Sequence, residues 1–291
     1  MTKTSIKKNT PLITLALLAG LTAACPGYTQ TPPAHAQGLQ ETLLSADLTE
    51  NKKQVGVLSL KAGTDQPTKL AVLLPGNPSV VRPVVENNVM TSAELAGNFL
   101  IRARRFLVDE SIATLIIECQ SGISDHCDAD YQASVGRQQD VEKLIAEVRK
   151  KIPSVNQVWL VGTSMGTISS SFMLKHAPSA YAGAIHTAAI TEPYAKNSYR
   201  ELGGFDYKKA GKPQFLIHHK EDPCSLTTYS GAKTISEKYE LPLITVFGGS
   251  GFNGPACKAH TAHGFKGKEK EVMGAIAQII KTGTASQLEI Q

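Results

Sequence analysis

A serine stands between two glycines, Gly162-Thr163-Ser164-Met165-Gly166, at the end of the stretch QVWLVGTSMG. A serine hydroxyl is a poor nucleophile at neutral pH. It becomes a good one when an imidazole takes its proton and a carboxylate holds that imidazole in the right tautomer. Both residue types follow in the chain, Asp222 after the run QFLIHH and His263 after the run LITVF. Each would lie in a loop past the carboxyl end of a strand, where open parallel sheets build their sites. The chemistry open to such a set is acyl transfer, with Ser164 attacking a carbonyl carbon.

The G-x-S-x-G string carries little weight alone, since in a chain this rich in glycine it arises by chance in roughly one case in eight. A turn in which Ser164 only caps the next helix would give the same letters. Its surroundings add to it. Val158, Trp159, Leu160 and Val161 form an uncharged run suited to a strand buried on both faces, and Thr167 to Lys175 can continue as a helix. A serine in a sharp strand-to-helix turn needs small neighbours on both sides, and its hydroxyl is then exposed.

The rest of the chain reads as strands and helices in alternation. Val55 to Leu60 and Leu70 to Leu74 are expected strands, the second running into Pro75-Gly76-Asn77-Pro78. Apolar spacing predicts a helix within Thr91–Val108, a strand at Thr114–Glu118 and a helix at Val135–Lys150. Past the serine come strands at Ala182–Thr187, Gln214–His219 and Leu243–Phe247, with helices at Tyr229–Lys238 and Glu269–Lys281. Such alternation implies an α/β fold with a mostly parallel central sheet and helices on both faces. Between His186 and Pro213 lies a polar connection with Tyr194, Tyr199 and Tyr207, the one place for a cap, and it is short.

The chain has 291 residues, enough for one domain with a substantial core. Lys3, Lys7 and Lys8 precede the apolar run Leu12–Ala24, which has the layout of a secretory signal, so residues 1–24 are expected to direct export. Leu21 to Cys25 resembles a lipoprotein cleavage box with Cys25 as lipidation site, although Thr22 departs from it; Ala34-His35-Ala36 offers an ordinary cut instead. Residues 25–52 read as a polar tether with a short helix near its end, and the catalytic domain as 53–291. The net charge is +5, and without the three leader lysines about +2 remains, too little to argue for nucleic acid as partner. The clusters Arg102, Arg104, Arg105 and Lys266, Lys268, Lys270 read as solvated helix faces. Membrane attachment is expected only through a lipid at Cys25, and oligomeric state is not legible. Four cysteines remain, Cys119, Cys127, Cys224 and Cys257, an even count that suggests two disulfides in an oxidising compartment. Of three possible pairings, Cys119–Cys127 with Cys224–Cys257 is the simplest by proximity.

The order Ser, Asp, His, the glycine-flanked serine and the succession of elements from about Gln54 to Lys281 resemble the α/β-hydrolase superfamily. Two local motifs add to the likeness: His263-Gly264-Phe265, and Lys220-Glu221-Asp222-Pro223. The resemblance implies Ser164 as nucleophile, His263 as proton relay and Asp222 as the residue that orients the imidazole, with no cofactor. It also implies an oxyanion hole from the N–H of Met165 and a second donor in the loop after the Leu70 strand. Pro75 and Pro78 have no N–H, which leaves Asn77, favoured, or Gly76. The family often has His-Gly here, where this chain has Pro75-Gly76. The expected activity is that of an exported serine hydrolase, acting on a small-molecule acyl substrate, most simply an ester of modest size. The alternative is a catalytically silent binding or scaffold protein on the same fold.

Other residues compete for these roles. Glu221 adjoins Asp222, but the shorter acid before the proline fits the motif better. His260 lacks the Gly-Phe that follows His263, His218 and His219 close a strand, and Ser250 in Gly248-Gly249-Ser250-Gly251 lacks a closing glycine. Cys257, His260 and His263, with Cys224 and Asp222, have ligand-like spacing, yet an oxidising compartment favours a Cys224–Cys257 disulfide over a metal. Such a bridge would tie the loop of Asp222 to the loop of His263.

Overall fold

A computed structural model describes residues 1–2, 32–123, 125–192, 202 and 204–291. Residues 3–24 of the expected signal sequence, Cys25, the first part of the tether (25–31), Tyr194 and Tyr199 lie outside the described residues. All elements below belong to one unit, Pro32–Gln291.

Nine strands form the main sheet: β1 (Leu39–Asp47), β2 (Lys53–Lys61), β3 (Lys69–Leu74), β6 (Ile112–Ile117), β7 (Gln157–Thr163), β8 (Gly183–Thr187), β9 (Gln214–His219), β10 (Leu243–Val246) and β11 (Glu289–Ile290). Their spatial order is β1-β2-β6-β3-β7-β8-β9-β10-β11. The pairs from β6 to β11 are parallel; β1 with β2 and β2 with β6 are antiparallel. A separate hairpin, β4 (Val84–Glu86) with β5 (Val89–Ser92), follows β3.

The central strands show why they read as unbroken apolar runs. Leu70, Val72 and Leu74 of β3 and Val158 and Leu160 of β7 enter one cluster, with α3 (Val135–Lys151) and α4 (Gly166–His176) supplying Leu144, Ile145, Val148, Met173 and Leu174. Their alternate neighbours Ala71, Leu73, Trp159 and Val161 enter a second cluster with α1 (Phe99–Ala103) and α6 (Glu269–Thr282). A strand covered on both faces has no polar side to reveal its period. Two further helices are α2 (Ala129–Ala133), which the apolar spacing did not reveal, and α5 (Tyr229–Tyr239), near its expected place.

Three sequence expectations need correction. The sheet starts at Leu39 and not near Gln54, with a strand where the tether and a short helix were expected. The alternation was masked because Leu43 faces solvent while a carboxylate, Glu41, faces inward. The helix within Thr91–Val108 is confined to α1 and a 3-10 turn at Arg104–Phe106, because Asn98 caps it and accepts a hydrogen bond from the Leu100 N–H at 3.0 Å. The arginine cluster is not a solvated face: Arg104 is fully buried and Arg102 nearly so.

Arg104 meets Glu41 through two hydrogen bonds, Nε to Oε1 at 2.8 Å and the second terminal nitrogen to Oε2 at 2.9 Å. Ser59 Oγ donates to Glu41 Oε1 at 2.6 Å and the Met90 N–H to Oε2 at 2.7 Å. Burial pushes the Glu41 carboxyl up, but the guanidinium and these donors outweigh it and hold the group below its ordinary range. The pair joins β1, β2, the hairpin and the end of α1. Removing one partner strands a buried charge, so Arg104→Met should lower unfolding free energy by about 3–5 kcal/mol in urea denaturation, whereas truncating the exposed Lys150 should change it by less than about 0.5 kcal/mol. Equal losses would contradict this reading.

Candidate active site

Ser164 follows the last residue of β7 and stands two residues ahead of α4. Its φ is 52°, in the left-handed region that a residue with a side chain enters at a cost. The flanking glycines are required by close approach. A Cβ on Gly162 would overlap Ser170 Oγ, and one on Gly166 would overlap the carbonyl oxygen of Leu74 at the end of β3. The Ser164 N–H donates to the Thr187 carbonyl of β8 at 3.0 Å, which fixes the turn against the neighbouring strand. Strand β7 thus turns sharply into α4, with the serine at the corner.

Gly76, in the loop after β3, approaches this corner so closely that a Cβ there would lie 3.0 Å from Ser164 Cβ. That loop is held from several sides. Ser79 Oγ donates to the carbonyls of Pro75 at 2.8 Å and Gly76 at 3.1 Å, and the Cys127 N–H donates to the Pro78 carbonyl at 2.9 Å. Cys127 is bonded to Cys119, so this disulfide backs the same loop. Gln132 adds a tie, its amide nitrogen donating to the Cys127 carbonyl at 3.0 Å while its oxygen accepts from Ser169 of α4.

His263 lies on a 3-10 turn, Ala262–Gly264, capped by Thr261 Oγ1, which accepts from the His263 N–H at 3.2 Å. The two residues after it have physical reasons. A Cβ on Gly264 would overlap the Ala259 carbonyl, and Phe265 is a buried anchor whose ring centroid lies 4.9 Å from that of Phe99. Arg102 donates to the carbonyls of Gly97 and Gly264, both at 2.7 Å, and pairs with Glu269 at 3.0 Å, fastening the turn to α1 and α6.

Asp222 sits in the loop after β9 with its carboxylate out of solvent. Its Oδ1 accepts from the Cys224 N–H at 2.9 Å; its Oδ2 accepts from Thr227 Oγ1 at 2.8 Å and lies 3.0 Å from His263 Nδ1. Thr227 Oγ1 is also 3.0 Å from His263 Nδ1. With its own proton given to Asp222, this hydroxyl can share an Nδ1–H with the carboxylate, the tautomer in which a neutral imidazole keeps Nε2 as its acceptor. Burial pushes the Asp222 carboxyl up; hydrogen bonds from His218 and then His263 outweigh it and hold the group well below the usual carboxylate range.

Ser164, His263, Gly76 and Asn77 line one cavity of about 620 Å³, whose apolar wall includes Leu95, Phe99, Ile190 and Leu226. The structure joins His263 to Asp222 directly and brings Ser164 to the same cavity wall as His263. The Ser164 hydroxyl and the His263 ring share no hydrogen bond here, and bonds of this kind commonly tighten only around substrate. Met165 is fully buried at the N-terminal end of α4.

None of the competing residues replaces Asp222 or His263 in the pair. Glu221 is exposed, and His219 is occupied by the Glu221 N–H and the Gly248 carbonyl. His260 lines the cavity against Gly97, and Ser250 lies in a glycine turn tied to the Lys266 carbonyl. Cys224 and Cys257 are bonded to each other, so they present no thiolates to a metal. A second serine–histidine pair, Ser170 with His186 at 2.8 Å, is fully buried, and burial pulls that imidazole down to about 4.

No family model matches this sequence, and no curated protein matches it. Solved structures do. Est1E from Butyrivibrio proteoclasticus superposes with a TM-score of 0.53 at 13% identity, over 82% of this chain and 97% of that one. The Pyrococcus furiosus esterase Pf2001 gives 0.52 at 14% identity, over 84% and 92%. The acylaminoacyl peptidase of Pyrococcus horikoshii gives 0.54 at 11% identity, over 86% of this chain and 43% of its own. The chain has the α/β-hydrolase fold.

Within this α/β-hydrolase fold, Ser164, Asp222 and His263 follow β7, β9 and β10 respectively, at the carboxyl ends of parallel strands. Sequence reasoning missed Thr227, a small hydroxyl in a loop with no motif around it, and treated His218 as an ordinary strand-end histidine. The depressed Asp222 carboxyl stabilises the folded state above the ordinary carboxylate range, and that stabilisation is lost as pH falls. Between about pH 5 and pH 3 the wild type should therefore lose more unfolding free energy in urea than Asp222→Asn does. Parallel losses in the two proteins would contradict this.

Proposed function

We propose that this protein is a serine hydrolase that transfers an acyl group to water, acting as an esterase on substrates of modest size. The observation that carries the reading is the buried Asp222–His263 pair, with His263 and Ser164 on the wall of one cavity. The proposed sequence begins with Ser164 Oγ attacking the ester carbonyl as His263 Nε2 takes its proton. Negative charge then develops on the carbonyl oxygen, near the N-terminal end of α4. Donors there would be the Met165 N–H and that of Asn77 or Gly76. Collapse expels the alcohol, which receives the proton from the imidazolium, and water repeats the cycle on the acyl-enzyme. Asp222 holds the ring and stabilises its charged form throughout.

The solved structures with this fold include proteins described as esterases and a peptidase, which is compatible with an acyl-transfer role. The apolar wall of Leu95, Phe99, Ile190 and Leu226 would take the acyl or alcohol group. Two disulfides suit an oxidising, exported location. Export by residues 1–24, with or without a lipid at Cys25, belongs to the same proposal. Among the described residues no helix is long and apolar enough to cross a membrane.

A series of p-nitrophenyl esters of increasing chain length tests the reading. Short and medium esters should be turned over, and Ser164→Ala should reduce kcat/KM by about 1,000-fold or more. Turnover undiminished in Ser164→Ala, or none in the oxidised wild type, would remove it.

A further inference from the structure

We infer that His218 is a positioning residue for the His263 relay, acting through Thr227 and Asp222. The inference rests on the function proposed above. His218 is the penultimate residue of β9, four before Asp222, and is fully buried. Its Nε2 lies 2.6 Å from the Thr227 carbonyl oxygen, which can only accept, so Nε2 carries the hydrogen. The same nitrogen is 3.4 Å from Asp222 Oδ2, which places its N–H beside the carboxylate as well.

Thr227 is what gives this contact reach. The residue is fully buried, and its hydroxyl sits 2.8 Å from Asp222 Oδ2 and 3.0 Å from His263 Nδ1. His218 therefore fixes the backbone of the residue whose hydroxyl stands between acid and base. At the other end of the ring, Nδ1 is buried and makes no hydrogen bond among the described residues. An unpaired buried nitrogen costs stability, and a leucine would fill the space without it. What the imidazole supplies in exchange is the Nε2–H, without which the Thr227 carbonyl would lose this donor and the Thr227 end of the 222–227 loop one of the ties that fix its position. A shift of a fraction of an ångström in Asp222 would turn the His263 ring away from the serine.

Three variants test this: H218L, which removes the donor; H218N, whose shorter amide cannot reach as Nε2 does; and H218Q, whose amide nitrogen can stand in for Nε2. With p-nitrophenyl acetate, H218L and H218N should lower kcat about 10- to 100-fold with KM within about twofold, while H218Q stays within about threefold of wild type. The low-field proton NMR signal of the His263 Nδ1–H should persist in wild type and H218Q, and be shifted or broadened in the other two. Wild-type kcat and an unchanged signal in folded H218L or H218N would overturn the inference, as would H218Q no better than H218N. If H218L does not fold, the comparison of H218N with H218Q decides. If the wild type turns over no ester, the proposed function fails, and the NMR comparison alone decides the role of His218.

Discussion

The site depends on one backbone constraint, the left-handed conformation of Ser164 at the corner between β7 and α4. A non-glycine residue at φ 52° is unfavourable, and the surroundings must over-determine it. They do so by proximity. Gly162 lets the first turns of α4 fold back over the strand, Gly166 lets the helix touch the end of β3, and β8 accepts the serine N–H. A side chain at either glycine would push the helix off the sheet and release the corner. The same crowding brings the loop after β3 against the serine, so Ser164 and the candidate oxyanion donors are set by one packing arrangement.

Asp222 and His263 are placed by a different device. Their loops leave β9 and β10, and apart from the 3-10 turn that carries His263 neither side chain stands on a regular element. Ties between loops do the work instead: the Cys224–Cys257 disulfide joins them covalently, Thr227 bridges Asp222 and His263, and Arg102 fastens the Gly264 carbonyl to α1 and α6. In the loop-entropy model a cross-link of this span contributes about 3–4 kcal/mol. Its larger effect here is to limit how far two loops can separate when their side chains must meet within 3.0 Å.

Much of the fold was legible because the central strands, α3, α4, α5 and α6 follow simple apolar patterns. The first strand was not, since Glu41 faces inward and its compensation, Arg104, lies 63 residues away. A buried ion pair looks like two surface residues until both halves are seen together, which is also why the arginine cluster was misjudged. The candidate residues were legible where a motif meets a packing constraint: glycines around Ser164, and Gly264 with Phe265 after His263. Thr227 and His218 act through hydrogen bonds across loops, and no local spacing announces such a bond. The cysteine pairing was readable because the nearest partners in sequence are also the nearest in space.

The claim with most at stake is that Ser164 is activated by the His263–Asp222 pair. Treatment of the folded, oxidised protein with a fluorophosphonate, followed by peptide mass spectrometry, addresses it most directly. The expected result is one phosphonyl adduct on the peptide containing Ser164, absent in Ser164→Ala and formed far more slowly in His263→Ala. No adduct on the wild type, or labelling undiminished in either variant, would contradict it.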